Sequence, residues 1–246
     1  MDIYEYLSNR NIIVNDEKFR EKSASNNISE QVQLITDVHS KLLGGKEVVI
    51  PRIQSVIGKE IASYKVEVRK NKNYLNKIEM EKNISDFQAY LLSESKKIIE
   101  EAESVINMLD SDIYFKLIKR SMKRYEICLG RVDEGNLKKD KNDIIYIRTS
   151  KYIAYNLLEH DCYNYIKKLK KKKSKNNIEN IIIDFVNKSS LGEESIRYLN
   201  ILASYPIESM KLLSKYRSNE LNTTNEGIEK KLEIAKEIDR IELYER

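Results

Sequence analysis

Apolar residues recur along this chain at helical spacing, and the places where that rhythm starts and stops mark its elements. Ile28, Val32, Ile35, His39 and Leu42 fall at steps of three and four on one helical face. Asn27 followed by Glu30 has the spacing of a capping box ahead of that run, and Gly44-Gly45 ends it. From Arg52 to about Lys82, the residues Ile53, Ile57, Ile61, Tyr64, Val68, Leu75 and Ile78 drift along one side of a long charged helix. Ile84 to Leu109 repeats the pattern through Phe87, Leu91, Ile98, Ala102, Val105 and Leu109, so the two helices are expected to form an antiparallel pair. Asp112 to Arg124 reads as a fourth helix with Tyr114, Leu117, Ile118 and Met122 inward.

The texture then changes. Ile127-Cys128-Leu129 is a short apolar run ended by Gly130, and Asp140 to Asp143 is a turn cluster before Ile144-Ile145-Tyr146-Ile147. Leu137-Lys138-Lys139 and Ile144–Ile147 are expected to pair as one small hairpin, the single clear strand region. Helix resumes after Tyr152, through Leu157, Leu158, Tyr165 and Ile166, and then over Asn177–Lys188, Glu193–Tyr205, Ile207–Arg217 and Glu226–Glu242. Pro206 marks the junction between Glu193–Tyr205 and Ile207–Arg217, because its ring cannot follow a helical turn without a kink. No internal repeat and no long linker interrupts the series, which predicts one helical domain over residues 27–246 with residues 1–26 as a separate N-terminal segment.

Composition narrows the class. Among 246 residues there are seven Gly, two Pro and no Trp, too few turn residues for a sandwich or barrel. No apolar run approaches the roughly 18 residues a membrane span needs. The N-terminus, MDIYEYLSNRN, has two acids and no cleavage-site pattern, so a secretory signal is not expected and synthesis in a cytosol is. Cys128 and Cys162 lie far apart without a CxxC partner, which reads as two buried reduced thiols and neither a disulfide nor a zinc site. His39 sits on an apolar stripe with no second ligand at a suitable spacing, and reads as a hydrogen-bonded core histidine.

Charge adds one local feature. The net charge of +5 is concentrated in Lys167, Lys168, Lys170, Lys171, Lys172, Lys173 and Lys175, and without these seven the rest of the chain carries −2. Such a run suits an acidic partner or phosphates. It holds no Arg and no interleaved aromatic residue, as base readout or single-strand stacking requires, so nucleic-acid binding is not the favoured reading.

The segment Leu129-Gly130-Arg131-Val132-Asp133-Glu134-Gly135-Asn136 follows a strand-like run and precedes the hairpin, the context of a kinase catalytic loop. Four stretches, NISEQVQLITDVHSKLLGG, DSDIYFKLIKRSMKRYEICLG, LLEHDCYNYIKKLKKK and LNILASYPIESMKLLSKYRSN, occur in the order of the C-terminal lobe of the bacterial spore-coat kinase-like family, the CotS type. Over about residues 28 to 244 the chain resembles that family, which is related to aminoglycoside phosphotransferases. The resemblance implies a mainly α fold, a protein-kinase-like C-terminal lobe with one small β-hairpin. It also implies a degenerate site. The family's loop reads His-Gly-Asp, then four residues, then Asn; here Leu129 stands at the His, Gly130 and Asn136 match, and Arg131 replaces the catalytic Asp. The metal-binding Asp falls on Tyr146 or Arg148.

Asp133 and Glu134 lie two and three residues past the position where a proton acceptor is needed, a shift of several ångströms along a loop. Only 27 residues precede the first lobe helix and they contain no glycine, so the family's glycine-rich phosphate cover and strand lysine are not expected. The expectation is therefore a non-enzyme with no cofactor and no metal: a pseudokinase serving as a structural or scaffolding protein of the spore coat, made in the mother-cell cytoplasm and bound to other coat proteins. The alternatives are a phosphotransferase with an atypical site and a helical nucleic-acid-binding protein using the lysine run. Sixteen Tyr against four Phe suit coat cross-linking, and equally suit amphipathic rings lining helix interfaces. Ile3, Tyr4, Tyr6, Leu7 and Ile12 to Val14 are the apolar material with which the N-terminal segment would cover the face left by the missing lobe.

Overall fold

The computed structural model describes residues 1–19, 27–45, 47–81, 83–172 and 177–240. Along the chain run α1 (Ile3–Ser8), β1 (Ile12–Val14), α2 (Ile28–Leu42), β2 (Gln54–Ser55), α3 (Lys59–Glu79), α4 (Asp86–Asn107) and α5 (Ser111–Arg124). There follow β3 (Ile127–Cys128), β4 (Leu137–Lys139), β5 (Ile145–Ile147), β6 (Ala154–Tyr155) and α6 (Glu159–Lys171). The chain then continues through α7 (Ile178–Lys188), α8 (Glu193–Ser204), α9 (Ile207–Arg217) and α10 (Asn225–Asp239). They divide into two compact units, one of Met1–Ile57 with Ser111–Asn200, the other of Gly58–Asp110 with the chain from Ile201 onward.

In the first unit α2 starts where the sequence marks it. The Asn27 side chain accepts from Glu30 N at 2.9 Å and the Glu30 carboxylate accepts from Asn27 N at 3.0 Å, so two otherwise free amides are satisfied reciprocally. The face so aligned buries Val32, Ile35, Val38 and Leu42 against α6 and α7. The expected hairpin forms as β4 and β5, with Leu137 opposite Ile147 and Lys139 opposite Ile145. It is not the only strand region: β1 adds to β5 in parallel, and β2 and β3 flank β6 in a second three-stranded sheet. Residues 1–19 belong to this unit, with Tyr6, Leu7 and Ile12 fully buried, whereas Tyr4 and Ile13 stay exposed.

Two details of the expected helices change. The helix drawn from Arg52 begins only at Lys59, because Gln54–Ser55 pair with β6 and Gly58 precedes the first turn at φ +81°, a left-handed conformation that glycine adopts freely. On α5, Met122 is 64% exposed, and Ser121 takes the inward place with its hydroxyl donating to Asn156 O at 3.0 Å.

The second unit is helical. Lys72 pairs with Glu103 and Glu79 with Lys96, and this falling register makes α3 and α4 the antiparallel pair the sequence predicts. Pro206 separates α8 from α9 as expected and has no side-chain cap to offer; the Asp239 carboxylate, at the end of α10, accepts from Glu208 N and Ser209 N at 3.0 and 2.8 Å instead. Tyr64 stacks on Tyr205 with ring centroids 3.9 Å apart.

Candidate functional site

The loop from Leu129 to Asn136 leaves β3, lies over α2 and α6, and enters β4. Its first turn is fixed by one carboxylate. Asp161, fully buried in the first turn of α6, accepts from Gly130 N at Oδ1 and from Leu129 N at Oδ2, both at 2.8 Å. His39 Nε2 lies 2.9 Å from the same Oδ2; with a carboxylate there, Nε2 carries the proton and donates. Asn164, one turn further along α6, donates to Gly130 O at 3.2 Å, and Gln31 of α2 donates to Val132 O at 2.7 Å. Gly130 has φ +74°, and a Cβ there would lie 2.9 Å from Tyr152 Cβ and 3.0 Å from Tyr152 O. The turn thus needs glycine for both conformation and space.

Arg131, where the resemblance places a catalytic carboxylate, is exposed and lies on Tyr152: its guanidinium carbon is 4.1 Å from the ring centroid and Nη2 donates to the phenol oxygen at 2.7 Å. Asp133 is engaged inside the loop, accepting from Gly135 N at 3.1 Å and from Asn136 Nδ2 at 2.8 Å. Glu134 accepts from the Tyr165 hydroxyl at 3.1 Å and pairs with Lys172 at 2.9 Å. Burial, then the Glu134 charge, pushes the Tyr165 phenol up. Of the two residues offered for the metal-binding Asp, Arg148 is the one beside Asn136, its N–H donating to Asn136 O at 2.9 Å, and its side chain pairs with Asp16. Tyr146 sits one step back on β5, where its hydroxyl donates to Asp140.

Beneath the loop, Arg120 of α5 makes two-pronged contacts with two buried carboxylates, Glu126 and Glu159, at 2.7–3.1 Å, and its Nη1 also reaches Ser195 Oγ at 3.0 Å. Burial alone would raise Glu159, but hydrogen bonds and charge from Arg120, with the Ser195 hydroxyl, hold it below the usual carboxylate range. His39, Cys128 and Asp161 bring potential ligand atoms within 4.8 Å of one another. They do not suit a metal ion: the Asp161 oxygens already accept from two amides, the Cys128 thiol donates to Leu157 O at 3.1 Å, and burial pushes that thiol well above its ordinary range. Cys162 is likewise buried and unpaired to Cys128.

Among the lysines of the run, Lys167 to Lys172 form the end of α6 and its cap; Lys173 and Lys175 lie outside the described residues. Lys172 is tied to Glu134, and the Lys167 ammonium lies 4.2 Å from the Tyr163 ring centroid. Leu129 is buried, so the position matching the family's His faces the interior. No local motif in the sequence marks Asp161 and Gln31, which hold the loop. The local signal for Asp161 was an acid on the buried face of an apolar helical turn.

No family model matches this chain, and no curated protein matches it. Among solved structures, the aminoglycoside phosphotransferase from Alicyclobacillus acidocaldarius is similar, with a TM-score of 0.65 at 8% sequence identity over 86% of this chain and 62% of that one. This chain spans less than two thirds of that protein's length, and what the two share is a kinase-like fold, mostly helical with small sheets.

Proposed function

We propose that this protein is a non-catalytic kinase-like scaffold, a pseudokinase, and that it is a structural component of the bacterial spore coat. The observation that carries the first part is Arg131. Phosphoryl transfer to a hydroxyl needs a carboxylate within hydrogen-bond reach of the proton it accepts. Arg131 brings a permanent cation to that point in the loop, occupied with Tyr152. The next two carboxylates along the loop, Asp133 and Glu134, are bound to groups of the loop and of α6. Arg148, beside Asn136, adds a second cation where divalent ions would have to bind, so these residues do not suit a magnesium site.

The coat assignment rests on the resemblance of the four quoted segments. It implies synthesis in the mother cell and binding to other coat proteins, for which the lysine-bearing end of α6 is the contact we favour. The scaffold reading predicts that millimolar Mg·ATP leaves the melting temperature unchanged. A ligand at a hundred times its dissociation constant would add about 2.7 kcal/mol, several degrees at this size. A clear shift, or γ-phosphate release above background, refutes the non-catalytic reading. A fluorescent fusion in a spore former is expected at the spore periphery; diffuse fluorescence throughout sporulation refutes the coat role.

A further inference from the structure

A cleft of about 380 Å³ opens beside the second small sheet of the first unit, between the segment entering β2 and the segment entering β6. Arg52 comes from the first segment and Lys151 from the second, and no carboxylate lines the cleft. Several other cations of this unit are paired with acids: Arg10 with Glu47, Lys139 with Asp37 and Asp143, Arg148 with Asp16, Lys188 with Asp184. Among the described residues Arg52 and Lys151 have no acidic partner, and the one recorded contact of Lys151 is with the Tyr152 ring, 5.8 Å from its centroid. That ring also lines the cleft and carries the guanidinium of Arg131 on it. Two cations, Arg52 and Lys151, therefore line one acid-free hollow, and a third, Arg131, is stacked on a residue of its wall. Its remaining wall is apolar, chiefly Ile3, Ile53, Val56 and Ile153, with Ser150 and Gln54 as neutral polar groups.

We propose that this cleft binds a phosphate monoester of a small molecule, with Arg52 and Lys151 on the phosphate and the isoleucine wall against the organic part. A guanidinium fork, an ammonium, a hydroxyl and a carboxamide offer more donors than the two oxygens of a carboxylate can take, and match the three terminal oxygens of a phosphate ester. The volume falls within the range of small-ligand pockets, and an apolar lining with a few convergent polar groups is their usual composition. The site needs neither a magnesium ion nor a nucleotide, so it stands whether or not the loop is catalytic.

Titration calorimetry with phenyl phosphate and with inorganic phosphate, in metal-free buffer, tests this on the full chain. Saturable one-to-one binding of phenyl phosphate is expected, tighter than that of inorganic phosphate because the ring gains the apolar wall. Arg52→Gln and Lys151→Gln are each expected to weaken it about tenfold, about 1.4 kcal/mol. Both side chains are exposed and unpaired with acids, so the variants should melt as the natural protein does. Lys123→Gln, an exposed cation on α5 away from the cleft, removes the same charge and should leave affinity unchanged. Absence of saturable binding, equal affinity in the Arg52→Gln/Lys151→Gln double variant, or equal weakening by Lys123→Gln would each overturn the site. Equal affinity for the two phosphates would overturn its assignment to an ester.

Discussion

Replacing Asp161 by Asn changes one atom and places the whole loop at risk. Oδ1 of Asp161 accepts one amide, Gly130 N, while Oδ2 accepts Leu129 N and the His39 ring. An asparagine must put its NH₂ at one of these places. With the nitrogen at the Oδ2 site the Leu129 bond is lost and His39 keeps its contact only by moving its proton to Nδ1, which is buried without a partner, so the side chain will place the nitrogen at Oδ1, facing the Gly130 N–H donor to donor. One hydrogen bond to a charged acceptor is lost, about 1.5–3 kcal/mol. The other two become bonds to a neutral oxygen and weaken by roughly 0.5–1 kcal/mol each, since charge assistance about doubles such bonds. The total, about 2.5–5 kcal/mol, is the size expected when a buried ionic contact loses one member. Thermal melting should fall by ~10 °C at 2–4 °C per kcal/mol. Hydrogen exchange at Gly130 and Leu129 locates the loss, and both amides should exchange faster than those of α7. A loss under about 1 kcal/mol with unchanged exchange at Gly130 would refute the claim that Asp161 holds the loop.

Three further changes test the surrounding structure. Glu159→Gln should cost about 2–4 kcal/mol at neutral pH by weakening the Arg120 clasp. The folded pKa of Glu159 lies below its ordinary 4.5, so its contribution is present above that value and is lost as pH falls from there through the folded one; acid titration of the variant should show a shallower loss of stability below pH 4.5. Gly130→Ala should cost about 2–4 kcal/mol by chemical denaturation, since it combines a positive φ with a Cβ 2.9 Å from Tyr152. Tyr205→Phe should stabilise the protein by about 1 kcal/mol, because the buried Tyr205 hydroxyl has no hydrogen-bond partner among the described residues and the stack on Tyr64 is kept.

What could be read along the chain was what is determined locally. The Asn27–Glu30 box, the Gly44 stop, the Pro206 break and the β4–β5 hairpin each depend on residues a few positions apart, and each is found. Strands β1 and β2 were not legible. Ile12–Val14 find their partner more than 130 residues on, in Ile145–Ile147, and Gln54–Ser55 pair with Ala154–Tyr155, so nothing local separates them from loop or helix. The same holds within the site. His39 was visible as a polar residue on an apolar stripe, and its partner was not, because Asp161 acquires its role only when α6 passes under β3. Arg131 was readable only through the resemblance; its placement on Tyr152 is tertiary.

The contacts that shape the loop also decide how cleanly its chemistry can be tested. Asp161 binds two main-chain amides, and Asn164 and Gln31 bind two main-chain carbonyls, so the path of residues 129 to 132 is held without use of the side chain at 131. Arg131 itself is exposed, and its contacts with Tyr152 are one cation–π stack and one hydrogen bond at the surface, together worth about 1 kcal/mol. Arg131→Asp should therefore lower stability by no more than about 1 kcal/mol, with Gly130 and Leu129 amide exchange unchanged. A loss above about 2 kcal/mol would mean that the side chain supports the turn. If the turn is intact and the variant still shows no Mg·ATP shift, restoring the one carboxylate does not restore a nucleotide site, and Arg148 beside Asn136 becomes the next residue to exchange. If the variant alone gains a shift, the natural protein differs from a nucleotide binder at a single position.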